Sequence, residues 1–446
     1  MRAALPIDAL LTQITETIGS SRNLILQAEP GAGKTTRVPP ALLEVTLGDI
    51  LVLEPRRLPA RLAARRVAEE LGETVGETVG YRVRFEEQSS RQTRLWFITE
   101  GLLTRRLLSD PHLEGVSAVI LDEFHERHIE TDLALALLRR LQQTLRPDLQ
   151  IVVMSATLDS GPLARYLEAP VIHAPGRVFD VAVSYAGHSA LSVEEQVAAS
   201  VNILVQTNLT GHVLIFLAGA GEIRRCLKSC ESIARSAGLL SLPLHGDLSP
   251  DEQDRAVSQS QQQKLIFSTN VAESSVTIEG VSVVIDSGLA RIATDSISSG
   301  LPTLEVRRIS KASAIQRAGR AGRTRNGQAI RLYSQDDFAR RPSHDVPEIH
   351  RRELAQVVLT LRAMGIDNAM EVEKIEWLDA PPAESVQAAE ELLNRLQGKM
   401  SAARLAELPV HPRIARLLLE AKQRGVVNEA CRIAVHLSAS GVRNLA

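Results

Sequence analysis

The chain has 446 residues, with 44% hydrophobic and 23% charged side chains. These are ordinary values for a protein with real cores, and at roughly 100–200 residues per domain they predict two to four domains. A formal net charge of −2 excludes a globally basic nucleic-acid binder, so any such surface must be a local patch. Cys226, Cys230 and Cys431 are odd in number and lack metal-ligand spacing, which points to free thiols in a reducing compartment. Met1 to Leu11 carries no basic start, long apolar run or small-residue cleavage site. No stretch approaches the roughly 20 apolar residues of a membrane helix. A cytoplasmic, monomeric protein with no membrane partner is expected.

From Asn23 to Ser155, short apolar runs alternate with helical segments. The runs are Leu24–Leu26, Ile50–Leu53, Leu95–Ile98, Ala118–Leu121 and Ile151–Met154, and the segments include Pro59–Leu71, Gly101–Leu108 and Asp132–Leu145. Non-alternating strands separated by helices predict an α/β fold with a parallel sheet covered on both faces. After a break at Ala174-Pro175-Gly176 the pattern restarts with Val213–Phe216, Leu239–Leu244, Leu265–Phe267 and Val281–Ile285. Ser249 and Glu252 form a capping box at one intervening helix. Two strand-like runs between Leu289 and Ile309 flank a turn marked by Gly300 and Pro302, so a protruding β-hairpin is predicted. After about Asp345 the character becomes helical, with an amphipathic helix over Arg351–Met364. The expected domains are 1–175, 176–345, 346–411 and a helical array over 412–446 that implies partner helices beyond Ala446.

Ala28-Glu29-Pro30-Gly31-Ala32-Gly33-Lys34-Thr35 follows the strand Leu24–Leu26 and opens a helix. That context identifies a P-loop rather than a glycine-rich turn without a ligand. Glycines let backbone N–H groups curl around phosphate oxygens, and the helix N-terminus adds its positive end. Lys34 reaches the β- and γ-phosphates of ATP, and the Thr35 hydroxyl binds Mg²⁺. Asp122-Glu123-Phe124-His125 follows the apolar run Ala118–Leu121. Asp122 is the expected Mg²⁺ ligand, with Glu123 beside it placed to accept a proton from the attacking water. Farther on, Gln316-Arg317-Ala318-Gly319-Arg320-Ala321-Gly322-Arg323 repeats arginine every three residues. Planar, permanently charged guanidinium groups suit developing phosphoryl charge. If the second α/β unit faces the P-loop, Arg320 and Arg323 act as arginine fingers in cis.

These residues resemble the DEAH-box helicases of superfamily 2, and the Asp-Glu-Phe-His tetrad resembles the bacterial HrpB type. The ordered motifs are Ala28–Thr36, Pro55-Arg56-Arg57, Thr99-Glu100-Gly101, Asp122–His125, Ser155–Thr157, Ser268–Asn270 through Ala272–Ser275, and Gln316–Arg323. The resemblance covers the chain from about residue 8 onward. It implies two RecA-like lobes closing around ATP and Mg²⁺, with single-stranded nucleic acid across their top. Arg56, Arg57, Thr99 and Thr269 would touch the phosphate backbone, and Arg66 would stack on the nucleobase. Gln316 would help place the attacking water, and His125 would couple the lobes. The segment Leu289–Ile309 would be a strand-separating hairpin. Residues from about 346 would form a winged helix, and Glu407–Arg413 would enter a helical ratchet domain.

Two departures stand out. Val257 occupies a position near which the family commonly has an aromatic opposite the base-stacking arginine, which predicts relaxed choice among NTPs. Phe124 replaces the usual Ala beside the catalytic pair, and its ring must pack somewhere, against the helix from Asp132. Aromatic residues make up only 3% of the chain, so base-stacking platforms are not expected. Phosphate contacts without sequence specificity are expected instead. The leading reading is an ATP-driven 3′-to-5′ translocase on single-stranded RNA. The same machine on DNA and a nucleotide-dependent scaffold are its rivals.

Overall fold

The computed structural model describes residues 4–438 except 30, 157–158, 177–178, 188, 275, 297–299, 324 and 399. Pro30, Thr157 and Ser275, each named in a motif above, lie outside the described residues. The first sheet holds eight strands: β1 (Asn23–Ala28), β2 (Asp49–Glu54), β3 (Val79–Val83), β4 (Glu86–Gln88), β5 (Leu95–Thr99), β6 (Val116–Leu121), β7 (Gln150–Ser155) and β8 (Val171–Ala174). Their order is β4-β3-β5-β2-β6-β7-β1-β8, and only β4 runs antiparallel to its neighbour. The strands are continuously apolar because successive side chains enter opposite, equally buried faces. Ile25, Leu51, Leu53 and Leu121 enter one core, while Leu24, Leu26, Ile50, Val52 and Ile120 enter the other.

The second sheet contains β9 (Val181–Tyr185), β10 (His212–Phe216), β11 (Leu240–Leu244), β12 (Lys264–Ser268), β13 (Val281–Asp286) and β16 (Gly327–Arg331). It is wholly parallel, in the order β11-β12-β10-β13-β16-β9. Pro243 is tolerated in β11 because that strand is an edge. Between β13 and β16, β14 (Leu289–Asp295) and β15 (Pro302–Arg308) pair antiparallel from Leu289↔Arg308 to Asp295↔Pro302. The capping box forms as expected: the Ser249 N–H donates to Glu252 at 2.9 Å. Strands β3, β4, β8, β9 and β16 were not legible beforehand, being short and mixed in polarity.

The fold is therefore two RecA-like α/β units followed by helices, among them Ala355–Ala363, Ala383–Gln397, Pro412–Arg424 and Val427–Ser438. The predicted helix over Arg351–Met364 begins only at Ala355, because Arg351 and Arg352 turn aside to bond the hairpin strand β14. Much of this helical region shares its core with the first lobe. Ile349, Leu354, Val358, Leu361 and Trp377 share one cluster with Leu121, Phe124, Leu133 and Leu137 of the first lobe. Cys226 and Cys230 are buried free thiols, and burial pushes them up to about 12 and about 11. Among the described residues no helix is long and apolar enough to cross a membrane.

Phe124 sits in that shared cluster, fully buried. Leu133 and Leu137 in the same cluster belong to the helix Ile129–Thr144, which answers where the ring goes. Truncation to Ala would remove a ring that both units enclose. Phe124→Ala should therefore lower stability by about 3–5 kcal/mol, measured as a drop in the urea midpoint. Phe124→Leu should lose much less.

Candidate nucleotide and nucleic-acid site

The P-loop leaves β1 and enters the helix Lys34–Leu43. Gly31 and Gly33 adopt φ of 85° and 96°, the left-handed region that favours glycine. At Gly33 space is short as well, since a Cβ there would lie 2.6 Å from Leu5 Cδ1. The loop is braced from below: the Ile7 N–H donates to the Ala32 carbonyl at 3.1 Å, and the Ala32 N–H to the Glu29 carbonyl at 3.2 Å. Glu29 accepts from the Gly176 N–H at 3.1 Å. Ala28 ends β1, and Thr36 donates back to the Gly33 carbonyl at 3.4 Å.

Asp122 and Glu123 follow β6 and are almost completely buried. The Thr35 hydroxyl donates to Asp122 at 2.5 Å. The Lys34 ammonium lies 3.0 Å from Glu123 and 3.9 Å from Asp122. Burial raises the Asp122 pKa to about 6 against the pull of Lys34. Burial acts the same way on Glu123, but Lys34, by charge and by hydrogen bond, outweighs it and holds that carboxylate well below its usual range. Lys34 in turn stays charged: burial opposes its charge, and Glu123 and Asp122 restore it. Glu123 has φ of 49°, a strained value for a side-chain-bearing residue of the kind concentrated at functional sites. It leads into a tight turn over Phe124–Glu126. That turn brings His125 Nδ1 within 3.5 Å of Glu123 and 3.4 Å of the Ala156 N–H. His125 Nε2 is buried without a hydrogen-bond partner among the described residues, and burial lowers the ring's pKa.

The second lobe presents Arg320 and Arg323 from the end of the helix Lys311–Gly319. Arg320 donates to the Val276 carbonyl at 2.6 Å and to the Glu273 carbonyl. Arg323 donates to the Thr277 hydroxyl at 2.6 Å. Burial works against the charge of both arginines, and Glu123 across the lobe boundary supports it. Arg317 plays another part: it is fully buried, 2.8 Å from both Glu273 and Asp286. Arg66 lies on the helix Arg57–Leu71 and pairs with Glu70 at 2.8 Å.

The four residues expected on a nucleic-acid backbone sit differently. Arg57 is exposed at the start of its helix, and Thr99 precedes the helix Glu100–Ser109. Arg56 instead makes a two-pronged ion pair with Glu126, at 2.9 and 2.6 Å, and donates to Ser274 of the second lobe at 3.0 Å. Ser274 also donates to Glu126. Glu126 continues to His128 at 3.3 Å, and His128 to Glu100 at 3.3 Å. This Glu126-centred bridge between lobes was not anticipated. Its one sequence signal is that Glu126 directly follows the tetrad. A second bridge joins Arg61 and Arg65 to Asp254 at 2.9 and 2.6 Å. A cavity of about 710 Å³ between the lobes is lined by Arg56, His125, Thr269, Arg291, Arg308 and Gln316, among others.

Two tandem RecA-like units, a P-loop in one and an arginine-bearing helix end in the other, define a two-lobed P-loop class of protein. The DEAD/DEAH box helicase model matches residues 10–165 and the helicase conserved C-terminal domain matches 195–325. The chain is 39% identical over 446 residues to the ATP-dependent RNA helicase HrpB of Escherichia coli (strain K12), covering 98% of this chain and 55% of that protein. It is 35% identical over 463 residues to the probable ATP-dependent RNA helicase DHR2 of Saccharomyces cerevisiae, covering 98% of this chain and 62% of that one. The crystal structure of E. coli DEAH/RHA helicase HrpB superposes with a TM-score of 0.88 at 38% identity, over 98% of this chain and 57% of that one. The chain belongs to the DEAD/DEAH box helicases and is similar to their HrpB type. It spans little more than half the length of the relatives named.

His128 offers a pH test of the bridge. Burial disfavours its charge, but Glu100 and Glu126 raise its pKa from 6.5 to about 9. A raised folded-state pKa means that the charged ring stabilises the fold. The contribution is complete below about pH 6.5 and is lost as pH rises through about 9. The stability gap between wild type and His128→Gln should thus narrow by on the order of 2 kcal/mol between about pH 6.5 and 9.5, measured by urea unfolding. A pH-independent gap would contradict the bridge.

Proposed function

We propose that this chain is an ATP-dependent helicase acting on RNA, which moves 3′ to 5′ along a single strand and hydrolyses ATP between its two lobes. The observation that carries the reading is the pairing of a buried Lys34–Glu123–Asp122–Thr35 cluster in one lobe with Arg320 and Arg323 of the other, whose charges bear on Glu123. The names of the relatives, ATP-dependent RNA helicases, support the same class of activity and substrate.

In this reading the N–H groups of Gly31–Lys34 cradle the phosphates, with Ala28, Glu29, Ala32 and Thr36 shaping the loop. Lys34 turns from Glu123 to the β- and γ-phosphates and frees that carboxylate. Glu123 takes a proton from the water that Gln316 helps orient. The water oxygen bonds to the γ-phosphorus as the bond to the β–γ bridging oxygen breaks. Arg320 and Arg323 stabilise the charge that develops on the leaving oxygens. Arg66 stacks on the base. With Val257 aliphatic, other NTPs are accepted too. His125 relays the state of the site between lobes.

Thr35 and Asp122 fit Mg²⁺, since a hydroxyl and a carboxylate give this hard cation the oxygen donors it prefers. Glu123 lies beside them. Mg²⁺ supplies neutralisation of the β- and γ-phosphate oxygens when bound. Among the described residues no cluster of three metal-ligating side chains stands ready-made.

RNA runs through the cavity between the lobes, where Thr269 and Arg56 line the wall, with Arg57 and Thr99 nearby on the first lobe. Arg56 must then exchange Glu126 for phosphate. We take 1–175 and 176–345 as the two lobes, 346–411 as a winged-helix unit and 412 onward as the start of a ratchet unit. The working molecule is a monomer.

Glu123→Gln keeps the shape and removes the base. It should retain ATP binding and lose about 10²–10⁴-fold in turnover, measured as steady-state ATPase with and without single-stranded RNA or DNA. Unchanged turnover would remove Glu123 from the role of base. Wild-type ATPase indifferent to either nucleic acid would remove the helicase reading.

A further inference from the structure

The hairpin β14–β15 leaves the second sheet, but the bonds at its outer half lead to the first lobe. The short turn Glu348–His350 and the residues that directly follow it carry most of those bonds. At one end, the Glu348 N–H donates to the Arg127 carbonyl at 3.1 Å. The Glu348 carboxylate accepts from the Ile129 N–H at 3.2 Å. Arg127 and Ile129 come directly after the turn that carries Glu123. Arg127 is itself held, with φ of 49°, its guanidinium 2.8 Å from Asp132 and 2.6 Å from Asp379, and 5.6 Å above the Phe124 ring.

At the other end, Arg352 grips Asp295 at the tip of β14 through two parallel bonds of 2.9 and 3.1 Å. The Glu353 N–H adds a third to the same carboxylate at 2.7 Å. Arg351 donates to the Ala293 carbonyl of β14, and to Glu348 at 3.2 Å. The turn is closed on itself, with the N–H groups of Arg351 and Arg352 both donating to the Glu348 carbonyl at 3.0 Å. Arg413 extends the grip to the Gly300 carbonyl at 3.1 Å, while pairing with Glu353 at 2.9 Å. The Arg352 and Asp295 side chains are only 14% and 15% exposed. A two-pronged pair so shielded holds geometry far better than a surface ion pair.

We infer that Glu348 and Arg352 are positioning residues that fix the hairpin to the loop following Asp122–His125, so that the hairpin rides with the first lobe and not with the sheet it grows from. Asp295 and Arg127 lie 168 residues apart in different lobes, yet four residues of this strut join them. Motion of the second lobe then drives nucleic acid past a hairpin that stays with the nucleotide-binding loop. The consequence for unwinding rests on the helicase reading above; the mechanical claim does not.

The test uses the whole chain with Cys431→Ser, leaving two buried thiols. Spin labels are placed at exposed positions on the first-lobe helix (Arg140→Cys), on β15 (Glu305→Cys) and on the second-lobe helix Ala220–Ser236 (Arg235→Cys), in pairs. Distances are measured by pulsed electron resonance with and without ADP plus beryllium fluoride. The 140–305 distance should be narrow and unmoved by nucleotide, while 235–305 shifts. In Arg352→Gln the 140–305 distribution should broaden. Equal widths in Arg352→Gln and wild type, or a nucleotide-dependent 140–305 distance, would overturn the strut. In parallel, strand separation per ATP hydrolysed should fall about tenfold in Arg352→Gln and in Asp295→Asn, with the double variant no worse than either. Additive losses would overturn the pairing. Failure of the wild type to separate strands would sink the helicase reading, with the distances still deciding the strut.

Discussion

Two carboxylates, Asp122 and Glu123, stand side by side in the interior at the end of a strand. Burying one unpaired charge is costly, and burying two like charges is worse. The arrangement holds because Lys34 lies 3.0 Å from Glu123 and Thr35 bonds Asp122. That constraint reaches outward in every direction. It requires the P-loop to bring Lys34 and Thr35 together at a helix start, hence the left-handed glycines. It requires β1 and β6 to end at the same edge, hence the parallel sheet with β7 between them. It also leaves Glu123 ionised, the state a proton acceptor needs.

The second lobe meets this cluster through charges already placed. Arg320 and Arg323 are anchored by second-lobe oxygens while their charge is felt at Glu123. Around them the lobes are joined by Glu126, which takes Arg56 from its own lobe and Ser274 from the other, and by Asp254, which takes Arg61 and Arg65. Leu58 and Leu62 of the first lobe pack into a core that is otherwise second-lobe, with Leu214, Phe216 and Ala272. The interface is thus part apolar contact and part exchangeable ion pairs. In the helicase reading proposed above, ion pairs of this kind would be traded for phosphates.

Much of this was legible in the sequence. Contiguous motifs are local chemistry: the P-loop, the tetrad and the arginine run each lie within about a dozen residues and follow a recognisable strand or helix signal. The buried strands were legible too, since parallel sheets demand uninterrupted apolar runs. What could not be read was pairing across distance. The bridge from Glu126 to Ser274 joins residues 148 positions apart, and neither side chain announces its partner. The arginine spacing likewise says nothing of partners: Arg317 recurs in step with Arg320 and Arg323 but forms a buried pair with Glu273 and Asp286. The start of the helix at Ala355 was misplaced for a related reason: amphipathic periodicity at Arg351 and Arg352 gives way to tertiary bonds with β14. Phe124 was the residue whose chemistry the motif alone explained least. Its ring belongs to the core that the first lobe shares with the helices after residue 346.

The central claim is that hydrolysis at Glu123 waits on arginines from the other lobe. The direct measurement is ATP binding and single-turnover hydrolysis in Arg323→Ala. The account predicts near-normal ATP affinity with hydrolysis slowed by about 10³-fold or more. Hydrolysis at the wild-type rate in a variant that binds ATP normally would contradict it.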